Sequence, residues 1–156
     1  MTASDVAAWW GALIATVVLI WDIFKWSKEG PTLDVDVTPN MKVVGDPLRQ
    51  ADTYIAIRAT NSGDLPTTIT NVGLKHFKNR LAFLRGRPDS QWIVVKPDFA
   101  RPLPYLVAPG DIWDGGALQD ERALGLMSKG LLYCYVFHSA SKRPVRRLVR
   151  APEPHS

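Results

Sequence analysis

The chain has 156 residues and a net charge of +4, with 46% hydrophobic and 22% charged residues. That balance excludes wholesale disorder, a collagen-like repeat and a polytopic membrane protein. A single cysteine, Cys134, excludes an intramolecular disulfide and any multi-cysteine metal site. Beyond an apolar N-terminal segment, the length suffices for one domain.

Val6 to Trp21 contains no charge, and the apolar character continues through Trp26, interrupted by Asp22 and Lys25. At 1.5 Å per residue the stretch from 6 to 26 matches a hydrocarbon core of about 30 Å. Trp9 and Trp10 at one end, and Trp21, Lys25 and Trp26 at the other, are the expected interfacial anchors. The preceding residues, MTASD, carry no Lys or Arg, and no small-x-small cleavage site follows, so the helix is expected to stay attached rather than to be a signal peptide. Lys25 and Lys28 lie at the far end of the span, which places the N-terminus outside and the C-terminal domain in the cytoplasm of a bacterial inner membrane. Ala7, Gly11 and Ala15 recur every four residues and form a stripe on which a second helix could pack closely, the route to a homo-oligomer. The expected organisation is a transmembrane helix over 1–29, a β-domain over 30–150 and a flexible tail over 151–156.

After Gly30 and Pro31 the period changes from helical to alternating. LDVDV (Leu33–Val37) and YIAIRAT (Tyr54–Thr60) each alternate apolar with polar, as a half-buried strand requires. A turn cluster, NSGD (Asn61–Asp64), precedes a Thr-, Ile- and Val-rich strand over Thr67–Phe77. Further strands are expected at 81–84, 92–96, 105–107, 112–113, 131–139 and 145–150, and one short helix at 119–127. Many short strands broken by Pro/Gly turns predict an all-β, antiparallel Greek-key sandwich, with an open barrel as the alternative.

The NSG turn after the second strand, the Pro109-Gly110 turn in mid-domain and a last hairpin turning at Ser139–Arg143 together resemble immunoglobulin-like domains. The likeness departs from antibody-type domains in having one cysteine and in placing Leu132, not Tyr, two residues before it. With its single N-terminal span, the layout is also similar to small bacterial single-pass membrane proteins that carry a C-terminal β-sandwich. Such a resemblance implies architecture and not activity.

No catalytic residue is expected. His76, His138 and His155 lack metal-ligand spacing, and His138 and Ser139, as strand neighbours, point to opposite faces. Asp111 and Asp114 in PGDIWDGG are read as turn residues, Cys134 as a core residue, and neither a metal nor a cofactor is expected.

Charge is unevenly distributed. Seven basic residues (Lys75, Lys78, Arg80, Arg85, Arg87, Lys96 and Arg101) lie between 75 and 101 against Asp89 and Asp98, and five more between Lys142 and Arg150 face no acid. From Glu29 to Asp64 acids predominate, six to three. An immunoglobulin-type strand order would bring both basic clusters onto one sheet. Lys75, Lys78, Arg80, Arg146, Arg147 and Arg150 are therefore the candidate binding face. It suits anionic lipid head groups, a protein partner or simple protection of an edge strand. Nucleic acid is disfavoured because only Phe77 and Phe83 interleave with those cations in sequence. The function expected is a non-enzymatic membrane protein displaying a cytoplasmic β-sandwich as a binding or assembly module. The alternative is an oligomeric, membrane-perturbing effector triggered through that domain, a layout that resembles bacterial anti-phage systems.

Overall fold

A computed structural model describes residues 3–28, 30–47, 49–94, 97 and 101–150. The chain divides into two units, Met1–Gly30 and Pro31–Ser156. The first unit is a helix, α1 (Ala3–Lys28). Its 18-residue window Ala8–Lys25 has mean hydropathy 1.5 and no buried residue. Such a helix is apolar around its whole circumference, so it has no solvated face, and it could be a membrane span or a signal sequence. Thr16 satisfies its hydroxyl within the helix by donating to the Ala12 carbonyl at 2.8 Å.

The second unit is mostly β. Its elements are β1 (Leu33–Lys42), β2 (Thr53–Asn61), β3 (Thr67–Phe77), α2 (Arg80–Leu84), β4 (Ser90–Ile93), β5 (Tyr105–Val107), β6 (Ile112–Leu118), α3 (Glu121–Lys129), β7 (Leu131–His138) and β8 (Ser141–Val149). Two antiparallel sheets form, one ordered β1-β2-β6 and the other β4-β3-β7-β8, with β5 paired to the first residues of β3. Period-2 alternation sends Val35, Ile55, Ile57, Ala59 and Trp113 inward from the first sheet. From the second, Ile69, Val72, Leu74, Leu132, Cys134, Val136 and Val149 join the same core. Each large side chain so buried contributes about 1.5–3 kcal/mol. Pro39 and Pro144 fall on β1 and β8, the edge strands, where a missing N–H leaves no ladder bond unmade.

The turn cluster after β2 is organised by Asn61, which is fully buried. Its amide donates to the carbonyls of Leu65 (2.8 Å) and Val107 (3.0 Å), while its Oδ1 accepts from the Gly63 N–H at 3.1 Å. The Pro109-Gly110 turn closes with Asp111 N–H donating to Ala108 O at 3.0 Å, and Gly110 supplies the positive φ of 76°.

Several boundaries differ from the pattern-based expectation. Residues 81–84 form α2 instead of a strand, because the Asn79 side chain caps the Ala82 N–H at 2.8 Å. The expected helix at 119–127 begins later, at Glu121, where Asp120 accepts from Ala123 N–H at 2.7 Å. The strand expected over 112–113 runs on to Leu118, so Asp114 is a strand residue and not a turn residue. It sits opposite Arg58 and pairs with it at 2.7 Å. The strand expected at 92–96 is β4, starting at Ser90; positions 95 and 96 lie outside the described residues, as does the expected tail 151–156. The last hairpin turns at Ser139–Ala140 instead of across Ser139–Arg143, because His138 already pairs with Ser141.

Candidate functional site: the outward face of the second sheet

Register decides which side chains meet. On the face of the second sheet turned away from the core, Asn71 lies opposite Phe137, Gly73 opposite Tyr135, and Lys75 opposite Tyr133. Arg146 and Leu148 of β8 continue the Tyr135 and Tyr133 rows, and Ile93 and Gln91 of β4 flank Gly73 and Lys75 on the other side. Because β7 is inserted between β3 and β8, its outward residues Tyr133, Tyr135 and Phe137 separate the two basic segments. Aromatic residues therefore do interleave with the cations, contrary to the expectation that only Phe77 and Phe83 would.

These groups are in contact. Lys75 Nζ lies 4.8 Å from the Tyr135 ring centre, and the Arg146 guanidinium lies 4.8 Å from that of Phe83. Phe83, carried by α2, stacks on Tyr133 at 4.4 Å with the planes 11° apart, and Phe77 meets both rings edge-on. Cation–ring contacts of this kind contribute about 0.5–1 kcal/mol where solvated and more where dry. Burial pushes the Tyr135 phenol up, and the neighbouring Arg146 guanidinium pulls it part of the way back. The strands of this sheet carry no Asp or Glu, whereas the first sheet holds Asp34, Asp36 and Asp114.

Lys75 and Arg146 are thus brought together on one surface. Lys78 lies exposed just beyond β3, Arg80 opens α2, and Arg150 follows β8, also exposed. Arg147 does not join them. It stands opposite Cys134 on the inward side, and its Nε donates to the Val35 carbonyl of β1. Alternation makes this unavoidable, since neighbours on a strand face opposite ways. Arg101, from the same basic segment of sequence, is likewise committed elsewhere: its guanidinium donates to Ile112 O, and its own carbonyl accepts from Trp113 Nε1 at 3.2 Å.

On the same face an open cleft of about 770 Å³ is lined by residues of β3 and β4, among them Asn71, Lys75, Gln91, Trp92 and Ile93, and by Phe137 of β7. Sequence reasoning passed over Asn71, Gln91 and the three β7 aromatics. The signal available for the latter was the alternation in LLYCYVFH, which sets Tyr133, Tyr135 and Phe137 on one face and Leu132, Cys134 and Val136 on the other.

On α1, Trp9, Trp10, Trp21 and Phe24 are exposed, and the Trp21 and Phe24 rings lie 6.5 Å apart. Gly11, Ala15 and Lys25 are exposed as well, and a Cβ added at Gly11 would meet nothing within 4 Å. The side chains of Ala7 and Trp26 lie outside the described residues. Elsewhere, the buried Cys134 thiol is pushed up to about 12 by desolvation, which keeps it protonated at neutral pH. Ser139 Oγ accepts from the Thr68 N–H at 3.0 Å, while His138 Nδ1 lies 3.4 Å from Thr67 Oγ1, so the two neighbours do serve different faces. Among the described residues no group of three or more His, Cys, Asp or Glu could hold a metal ion.

No protein-family model matches the chain, and no curated protein matches it. Among solved structures, a Bordetella pertussis protein provisionally named ApaA is similar at 16% identity and TM-score 0.40, covering 81% of this chain and 98% of that one. A second, a structural-genomics target, is similar at 10% identity and TM-score 0.32, covering 79% of this chain and 84% of its own. Both superpositions are loose, and neither bears on function.

Proposed function

We propose that the chain is a single-pass inner-membrane protein that displays an immunoglobulin-like Greek-key sandwich to the cytoplasm as a binding module, and that it recognises an anionic partner through the second sheet. The observation that carries this reading is the outward face of that sheet: Lys75 and Arg146 set among Phe83, Tyr133 and Tyr135, on strands without a carboxylate. Edge protection alone would call for cations on β8, yet Lys75 belongs to β3, an interior strand. The strand order supports the immunoglobulin-like assignment, since the first two strands share one sheet and the third and the last two share the other. The uncharged run from Val6 to Trp21 within α1, with tryptophans toward both ends and Lys25 and Lys28 in its last turns, supports the span and its orientation.

The test is recovery of the full chain from its native host in detergent, comparing wild type with the Lys75→Glu/Arg146→Glu double variant. Wild type should retain a specific partner, a protein or anionic lipid, that the double variant loses, and a cytoplasm-only reporter fused at Ser156 should be active. Equal retention by both proteins would refute the face as the recognition surface. A reporter active only outside would reverse the topology.

A further inference from the structure

We infer that α2 is a membrane-docking element: Leu81 and Leu84 enter the head-group region of an anionic leaflet while the cations around them meet lipid phosphates. This rests on the second-sheet face being the recognition surface and names its partner, the anionic lipid surface itself.

The short helix carries apolar side chains on both of its sides. Phe83 stacks on Tyr133 at 4.4 Å and Ala82 is half-buried, so these two hold α2 to the sheet. Leu81 and Leu84, three residues apart and therefore on one face of the helical turn, are instead 53% and 78% exposed. The turn that presents them is fixed at both ends. Asn79 Oδ1 accepts from the Ala82 N–H at 2.8 Å, and beyond Leu84 the N–H groups of Gly86 and Arg87 donate to Phe83 O and Ala82 O, both at 3.0 Å. Gly86 makes this ending possible through its positive φ of 64°. The leucines thus project from a hydrogen-bonded turn and lose little freedom on docking.

Charge selects the occupant. Lys78 and Arg80 precede the two leucines, Arg85 and Arg87 follow them, and all four are exposed. Arg146 adds a fifth cation, 4.8 Å from the Phe83 ring centre. The sequence from 78 to 96 holds one acid, Asp89, and its carboxylate lies 3.6 Å from His76 Nδ1. Exposed leucines ringed by Lys and Arg are the composition of a segment that lies in a membrane interface. Each such cation near an anionic leaflet strengthens binding about fivefold. A stable protein interface takes about 800 Å² from each partner, far more than two leucines supply. A lipid surface asks for less here because the chain is tethered. Four residues separate Lys28, the last of α1, from Leu33, the first of β1, a link of at most about 18 Å. With α1 spanning the bilayer, the sandwich is kept at high local concentration beside one leaflet, and a weak docking element suffices.

The experiment uses the full chain in nanodiscs of phosphatidylcholine, alone or mixed with phosphatidylglycerol, with a quencher on the lipid acyl chains. An environment-sensitive dye is attached at Leu84→Cys or, as the control, at Asp36→Cys on the outward face of the first sheet; both positions are exposed, and the native Cys134 is buried and does not compete. In the anionic discs the dye at 84 should shift its emission to the blue and be quenched, while the dye at 36 should not. Phosphatidylcholine alone should give little quenching at either position. On the labelled protein, Arg85→Glu/Arg87→Glu should lower the docked-to-free ratio by about tenfold or more, and Leu81→Asn should lower it several-fold at unchanged charge. A dye at 84 that stays in water in the anionic discs would overturn the proposal. So would equal quenching at 84 and 36, which the tether alone would produce, or quenching that neither variant reduces. If the dye at 84 stays in water while the Lys75→Glu/Arg146→Glu variant still loses a co-purifying protein, the lipid assignment falls and the face stands. If both fail, the face itself is refuted.

Discussion

Arg147 on β8 donates its Nε hydrogen to the carbonyl of Val35 on β1, and so joins the edge strands of the two sheets. The adjacent Arg146 faces the other way and lies over Phe83. Two consecutive arginines therefore serve opposite faces of the sheet, one tied to β1 and the other set on an outward aromatic ring. Replacing Arg147 with Ala should cost about 1–2 kcal/mol in urea unfolding, since the Val35 carbonyl loses a charged donor. Arg146→Ala should cost under about 1 kcal/mol, the scale of a solvated cation–ring contact. Equal costs for the two changes would refute this division.

Gly115 is a position where glycine is required for space. Trp113, fully buried, lays its ring over Gly115, and a Cβ added there would collide with Trp113 Cη2. The indole is anchored at its far side by the Nε1 bond to the Arg101 carbonyl, so it cannot simply swing away. Gly115→Ala should therefore destabilise by about 1–3 kcal/mol, the usual cost of overpacking a core. Gly116→Ala, whose Cβ would meet Tyr54 atoms no nearer than 3.6 Å, should cost distinctly less. Comparable midpoints for the two variants in chemical denaturation would contradict the assignment.

The strands that were legible in the sequence are those whose pattern reports burial directly. Leu33–Val37 and Tyr54–Thr60 alternate, and Thr67–Phe77 follows a turn cluster and is rich in Thr, Ile and Val. The failures occur where a local signal has two uses. Gly115-Gly116 looks like a turn, yet Gly115 makes room for an indole that comes from two residues away and folds over it. Leu81–Leu84 is apolar enough for a strand, yet Asn79 caps it into a helix that covers Tyr133 with Phe83. The basic face was half readable. That β3 and β8 share a sheet follows from topology, but the aromatic rows between them become visible only once β7 is known to lie there. Charge clustering alone groups Arg147 with Arg146, because it ignores the period-2 alternation that separates them. The cleft has no sequence signal at all, since its lining is assembled from three strands, β3, β4 and β7.

His138 supplies a pH dependence whose sign is fixed. Partial burial at the end of β7 lowers its value from the ordinary 6.5, so the folded domain favours the neutral imidazole. Between that depressed value and 6.5, the unfolded chain binds more protons than the folded one, and stability must rise with pH across this interval. The contribution is fully present above 6.5 and is lost as the pH falls through the folded value. His138→Gln keeps a polar group near Thr67 Oγ1 but cannot titrate, so it should flatten the decline in unfolding midpoint between about pH 7.5 and 5.5. His76, buried with Asp89 at 3.6 Å, is unchanged by that substitution, so the difference between the two proteins isolates His138. Parallel pH profiles for wild type and variant would show that the imidazole at 138 is not the group responsible.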